Sequence, residues 1–157
     1  MNDDALFAEI YPTLRRFAAA IAAVGTDPDD LVQEAVARTL RRGQLRDLDD
    51  AALYLRRTVL NLTRSQHRDT TRRADILERT LLTPAHADVY PSDFTDLSNL
   101  TVDQRAVLFL RFVENQSTRD IAGTLNLSEN TVRARASRAI KALRVDLEER
   151  STADEEP

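Results

Sequence analysis

The chain has 157 residues, 42% hydrophobic and 31% charged, enough for one ordinary domain or two small ones with a buried core. It contains no cysteine, which excludes disulfides, thiolate zinc sites and thiol nucleophiles together. No apolar run approaches the roughly 18 residues of a membrane span, and the acidic start does not resemble a signal peptide. With 3 glycines, 5 prolines, many good helix formers and no sustained β-branched alternation, the composition predicts an all-α fold. The net charge of −4 disfavours nucleic acid, but it is unevenly spread. Residues 56–73 hold six arginines and one aspartate, giving +5, and residues 129–144 hold five basic residues and Glu129, giving +4. The stretches 1–34, 74–104 and 145–157 each balance at −5. Two basic blocks in acidic surroundings suggest two polyanion contacts, with acidic surface left for a basic protein partner.

In chain order, Leu6, Phe7, Ile10, Leu14, Phe17, Ile21 and Val24 recur at steps of three and four, predicting an amphipathic helix over 4–24 with Pro12 inside it. Gly25 and Thr26 interrupt the pattern. Asp27 before Pro28 is a helix-start signal, and Asp29 and Asp30 then sit where the helix dipole favours negative charge. This second helix should stop near Gly43, with basic residues in its last turn. Asp49 or Asp50 opens a third helix over 51–69, with Ala52, Leu55, Val59 and Leu62 on its apolar stripe. Arg56, Arg57, Asn61, Arg64, Ser65 and Arg68 fall mainly on its other faces. Three such helices make one bundle over residues 1–70.

Between 71 and 97 the periodicity weakens. Residues 75–82 could add a short helix, but prolines and acids follow, and the stretch is expected to link two domains. A second domain spans 98–147. Thr101 and Gln104 form a capping box that opens a helix whose apolar side is Val107, Leu108, Leu110, Phe112 and Val113. The acidic tail 148–157 lacks core-forming residues and is expected to be disordered.

The segment Ser117–Arg144 has the pattern of a helix-turn-helix. Ile121 and Leu125 pack its first helix, and Ala122 is the small residue at the crossing. Asn126 takes a turn position that favours glycine, Leu127 anchors the turn and Ser128 caps the second helix. Val132, Ala136, Ile140 and Leu143 form the core stripe of that helix, and Arg133, Ala134, Ser137, Arg138 and Lys141 form an offset stripe. Such a face can meet guanine edges and phosphates in a major groove, although many basic helix faces are simply solvated.

Three passages resemble the extracytoplasmic-function (ECF) type of bacterial RNA polymerase sigma factor: DPDDLVQEAVARTLRR, AALYLRRTVLNLTRSQHRD, and the run from LTVDQRAVLFLRF through SENTVRARASRAIKALR. Their order and spacing also match that family. The resemblance implies that Asp30, Leu31, Gln33 and Glu34 dock on core RNA polymerase. It implies that Arg57, Asn61, Arg64, Ser65 and Arg68 act at the minus-ten promoter element, where a base is flipped out of the opened strand. It implies that Asn130, Arg133, Ala134, Ser137, Arg138 and Lys141 enter the minus-thirty-five major groove. Ala134 stands where the family often has a polar residue, which leaves it a thymine-methyl contact. Tyr54 replaces the family's usual tryptophan. The implied partners are core polymerase, promoter DNA and an anti-sigma factor, in the cytoplasm, with no cofactor, metal or catalytic residue.

The competing reading is a helix-turn-helix regulator of the LuxR/NarL type that binds duplex DNA alone. The helical 1–70 segment, with its own basic block, fits such a regulator poorly. A hydrolase is disfavoured because His67 and His86 are the only histidines and no glycine-rich phosphate loop is present.

Overall fold

The computed structural model describes residues 2–80 and 99–153. Among them six α-helices follow in order: α1 Asp3–Ile21, α2 Pro28–Leu40, α3 Ala51–Thr80, α4 Val102–Leu108, α5 Thr118–Leu125 and α6 Glu129–Ala153. A 3-10 turn lies at Leu45–Asp47 and a π turn at Phe109–Val113, and the described residues contain no strand, so the fold is all-α. The chain divides into two compact units, Met1–Asp93 and Phe94–Pro157. No helix among the described residues is long and apolar enough to cross a membrane.

In the first unit α1, α2 and α3 pack pairwise. Leu14, Phe17 and Ile21 of α1 meet Leu31 and Val32 of α2 and Leu55 and Val59 of α3 in a core closed to solvent. Each such side chain contributes roughly 1.5–3 kcal/mol on burial, which makes this core the main cohesive force of the unit. Pro12 lies inside α1, which continues through it. Gly25 turns the chain with φ +84°, a left-handed conformation that strains any side chain. The Asp27 carboxylate then accepts the Asp29 N–H at 2.8 Å, capping α2. Of the two aspartates before α3, Asp50 is the cap, accepting the Leu53 N–H at 2.9 Å. The buried Leu45 plugs the bundle, held because Asp3 accepts the N–H groups of Leu45 and Arg46 at 3.2 and 3.1 Å.

α3 passes residue 70 without a break and ends at Thr80. Residues 71–80 contain neither glycine nor proline, and three arginines with one alanine, one leucine and one glutamate make six of the ten good helix formers, so propensity favours continuation. The first part of the expected linker is therefore helix, and its remainder lies outside the described residues, as does His86.

In the second unit α4 and α5 both pack on α6. The capping box is formed: Thr101 Oγ1 accepts the Gln104 N–H at 3.2 Å, and Gln104 Oε1 accepts the Thr101 N–H at 3.0 Å. Val102, Ala106, Val107 and Leu110 are buried, but Phe112 and Val113 are 60% and 57% exposed, against expectation. The π turn explains this, because its wider winding carries the residues after Leu110 off the buried face. Asn115, with φ 53°, then reverses the chain into α5. On α6 the buried residues are Val132, Ala136 and Ala139, with Ile140 and Leu143 only half-buried. The helix also runs past Leu147 to Ala153, where disorder was expected; Arg150 pairs with Asp146 at 3.3 Å and stabilises that last stretch. Residues 154–157 lie outside the described range.

Candidate nucleic-acid interface

The turn between α5 and α6 is built by local chemistry. Ser117 Oγ accepts the Asp120 N–H at 3.1 Å to start α5, and Ser128 Oγ accepts the Thr131 N–H at 3.1 Å to start α6. Asn126 sits between them in the left-handed conformation (φ 55°, ψ 50°), a geometry that asparagine tolerates better than most residues. Ile121, Ala122 and Leu125 of α5 are buried, as is Val132 of α6, so one side of α6 is fixed.

The opposite side is open. Asn130, Arg133, Ala134, Ser137, Arg138 and Lys141 are all exposed on one helix. Arg133 is held in place: its Nη1 donates to Asn130 Oδ1 at 3.1 Å, and its Nη2 pairs with Glu129 at 3.3 Å. Arg135 does not belong to this face. It is half-buried and pairs with Asp103 of α4 at 3.2 Å. That strut, with the Asn99 amide donating to Asp146 Oδ1 at 3.0 Å, ties the start of α4 to α6. The sequence reading missed both ties. Asp103, two residues after the Thr101 cap, was the available signal, since a carboxylate in a first turn is free to reach a neighbouring helix.

On α3 a second cationic face emerges from the first unit. Its inner side is buried through Leu55, Val59, Leu60, Leu62 and Thr63. Asn61 and Arg68 are exposed, and Arg57, Arg64 and Ser65 are half-exposed. Asn61 Oδ1 accepts from Arg64 Nη1 at 3.5 Å, so amide and guanidinium lie side by side. Arg56 turns inward instead, with its guanidinium 6.0 Å from the centre of the Phe17 ring. Beyond Ser65 every side chain from Gln66 to Leu77, including His67, is exposed.

The α2 residues divide. Asp30, Gln33 and Glu34 are exposed on one face, whereas Leu31 is 1% exposed and belongs to the core, supporting that face from behind. Glu34 pairs with Arg38 at 2.6 Å and lies 3.7 Å from Arg41; these guanidiniums hold its carboxyl below the ordinary range. At the start of α2, Asp29 accepts a hydrogen bond from the Tyr11 hydroxyl and another from Arg15 Nε at 3.0 Å. Both lower the Asp29 carboxyl, the tyrosine most, and together they fasten α2 to α1.

Residues 97–143 match the family "Sigma-70, region 4". The RNA polymerase sigma-E factor of Streptomyces avermitilis is 33% identical over 132 residues, covering 79% of this chain and 73% of the relative. The sigma-E factor of Streptomyces coelicolor is 34% identical over 130 residues, 77% of this chain and 72% of the relative. The ECF RNA polymerase sigma factor SigX of Bacillus subtilis is 38% identical over 55 residues, 35% of this chain and 28% of the relative. Among solved structures, the sigma factor RpoE of Bartonella quintana, crystallised with the anti-sigma factor NepR, aligns with a TM-score of 0.70 at 22% identity, over 92% of this chain and 96% of that one. The fold is shared and the sequence relationship spans both helical units: the chain belongs to the ECF sigma factors of RNA polymerase.

Proposed function

We propose that the three exposed faces divide the work of promoter recognition. The face of α6 formed by Asn130, Arg133, Ala134, Ser137, Arg138 and Lys141 reads the minus-thirty-five element in the major groove. Arginine and lysine suit guanine edges and phosphates, and the Ala134 methyl suits thymine. The α3 face of Arg57, Asn61, Arg64, Ser65 and Arg68 takes the minus-ten element. There Asn61 offers a hydrogen-bonding group to an extruded base, and the guanidiniums hold the single strand. Asp30, Gln33 and Glu34 of α2 dock on a basic surface of core polymerase, with Leu31 behind them. The protein acts as a detachable specificity subunit in the cytoplasm, without enzymatic chemistry of its own, and its release from an anti-sigma factor would control it.

The observation that carries this reading is the cationic stripe on α6, open on one side and immobilised by α4 and α5 on the other. Reconstitution with core polymerase, followed by sequencing of the transcripts made from genomic DNA, tests it. Initiation from defined promoters is the expected result, and tight duplex binding by the free chain without core would refute it. Within the same assay Asn61→Ala should impair strand opening with core binding intact; permanganate footprints showing normal melting would remove Asn61 from that role.

A further inference from the structure

α3 continues well past the minus-ten residues, and its cationic stripe continues with it. Arg64, Arg68 and Arg72 recur every four residues, about 6 Å apart along the axis and drifting only about 40° per step. Arg72 lies on the same face as Asn61, roughly 16 Å further along the helix. The stripe ends there, because Asp75 occupies that side one turn later, while Arg73 points about 100° away. Arg68 and Arg72 are exposed, and among the described residues no acceptor pairs with either. The paired arginines elsewhere give the contrast: Arg15, Arg38, Arg133, Arg135 and Arg150 each have a carboxylate within 3.3 Å. Like charges at four-residue spacing repel one another in a free helix. A polyanion turns that cost into attraction, and a nucleic-acid strand presents a phosphate about every 3.4 Å, or roughly two per arginine step.

We propose that Arg72 extends the α3 contact as a sequence-independent clamp on the phosphodiester backbone of the promoter beyond the minus-ten element. This rests on the sigma-factor assignment of the α3 face. An acidic protein surface is the less favoured ligand, since the register of three evenly spaced guanidiniums follows a linear polyanion better than a patch of carboxylates. The side chain adds affinity and carries no base preference.

The test uses full-length protein in holoenzyme with reconstituted core, on a promoter fragment identified by transcript sequencing. Promoter affinity is measured across a salt series for the unaltered protein, Arg72→Gln and Arg73→Gln. Glutamine keeps the helix propensity, and the two variants remove the same charge from adjacent positions. Arg72→Gln should reduce the slope of log affinity against log salt by about 0.9 and weaken binding several-fold near 0.1 M salt, with Arg73→Gln close to the unaltered protein. Equal effects of the two variants, or an unchanged slope for Arg72→Gln, would overturn the proposal. Loss of core affinity in Arg72→Gln with an unchanged promoter slope would identify an acidic protein surface instead and also overturn it. Repeating the series on a fragment lacking the flanking duplex distinguishes a duplex from an opened-strand source of the phosphates. Failure of the unaltered holoenzyme to bind any promoter would refute the sigma-factor reading itself, a result distinguishable from all of these.

Discussion

The two cationic helices, α3 and α6, solve different mechanical problems. α6 is pinned along its inner side by α4 and α5, capped by Ser128 and strutted by Arg135 to Asp103. Its outward side chains therefore leave a backbone whose position is set, as direct readout of base edges requires. α3 carries buried residues only in its first half; from Gln66 to Leu77 all of its residues are exposed. A helix supported at one end suits contacts that tolerate displacement, which phosphates permit and base edges do not. Support, more than charge, separates the reading helix from the tracking one.

The sharpest way to break this contrast is to loosen α6 without touching its exposed face. Ile121 is fully buried between α5 and the rest of the second unit, so Ile121→Ala should cost about 2–5 kcal/mol in urea denaturation. It should also weaken minus-thirty-five dependence, although Ile121 cannot reach DNA; retained dependence in a destabilised variant would mean that pinning is dispensable. A smaller effect is expected from Arg138→Ala, on the order of 1–3 kcal/mol of promoter discrimination, measured by run-off transcription on minus-thirty-five variants. Unchanged dependence would remove Arg138 from the reading face. The smallest effect concerns acidity in the first unit. The folded Asp29 carboxyl lies below its ordinary value of 3.8, so its tie is fully present above that pH and is lost as pH falls through the folded value. The stability gap between the unaltered protein and Asp29→Asn, compared by urea midpoints, should shrink below about pH 4. A gap that stays constant on acidification would show that the tie does not depend on the charge.

Features encoded in short sequence windows were legible from the chain alone. Asp27–Pro28, Thr101 with Gln104, Asn126 and Ser128 each act within a few residues of themselves, and each forms the cap or turn its chemistry specifies. What escaped was long-range or cumulative. The periodicity that places Leu31 next to Asp30 cannot say that one faces the core and the other solvent until α1 and α3 are in place. The pairing of Asp103 with Arg135 needs the crossing of α4 and α6. A short helix over 75–82 was foreseen, but its continuity with α3 was not, because the apolar period fades after Asp69, yet a helix already nucleated by the bundle propagates through residues of good propensity.

The π turn at Phe109–Val113 has a consequence for sequence change. It accommodates an additional residue within an otherwise α-helical run, so the chain behaves there as if an insertion had been absorbed. Removing a single residue from that turn would restore α winding yet leave the chain after it close to its present phase, because the wider turn advances less per residue and the extra residue makes up the difference. A one-residue deletion in this segment should therefore be tolerated better than one in α4 or α5, where it would shift every following side chain by about 100°.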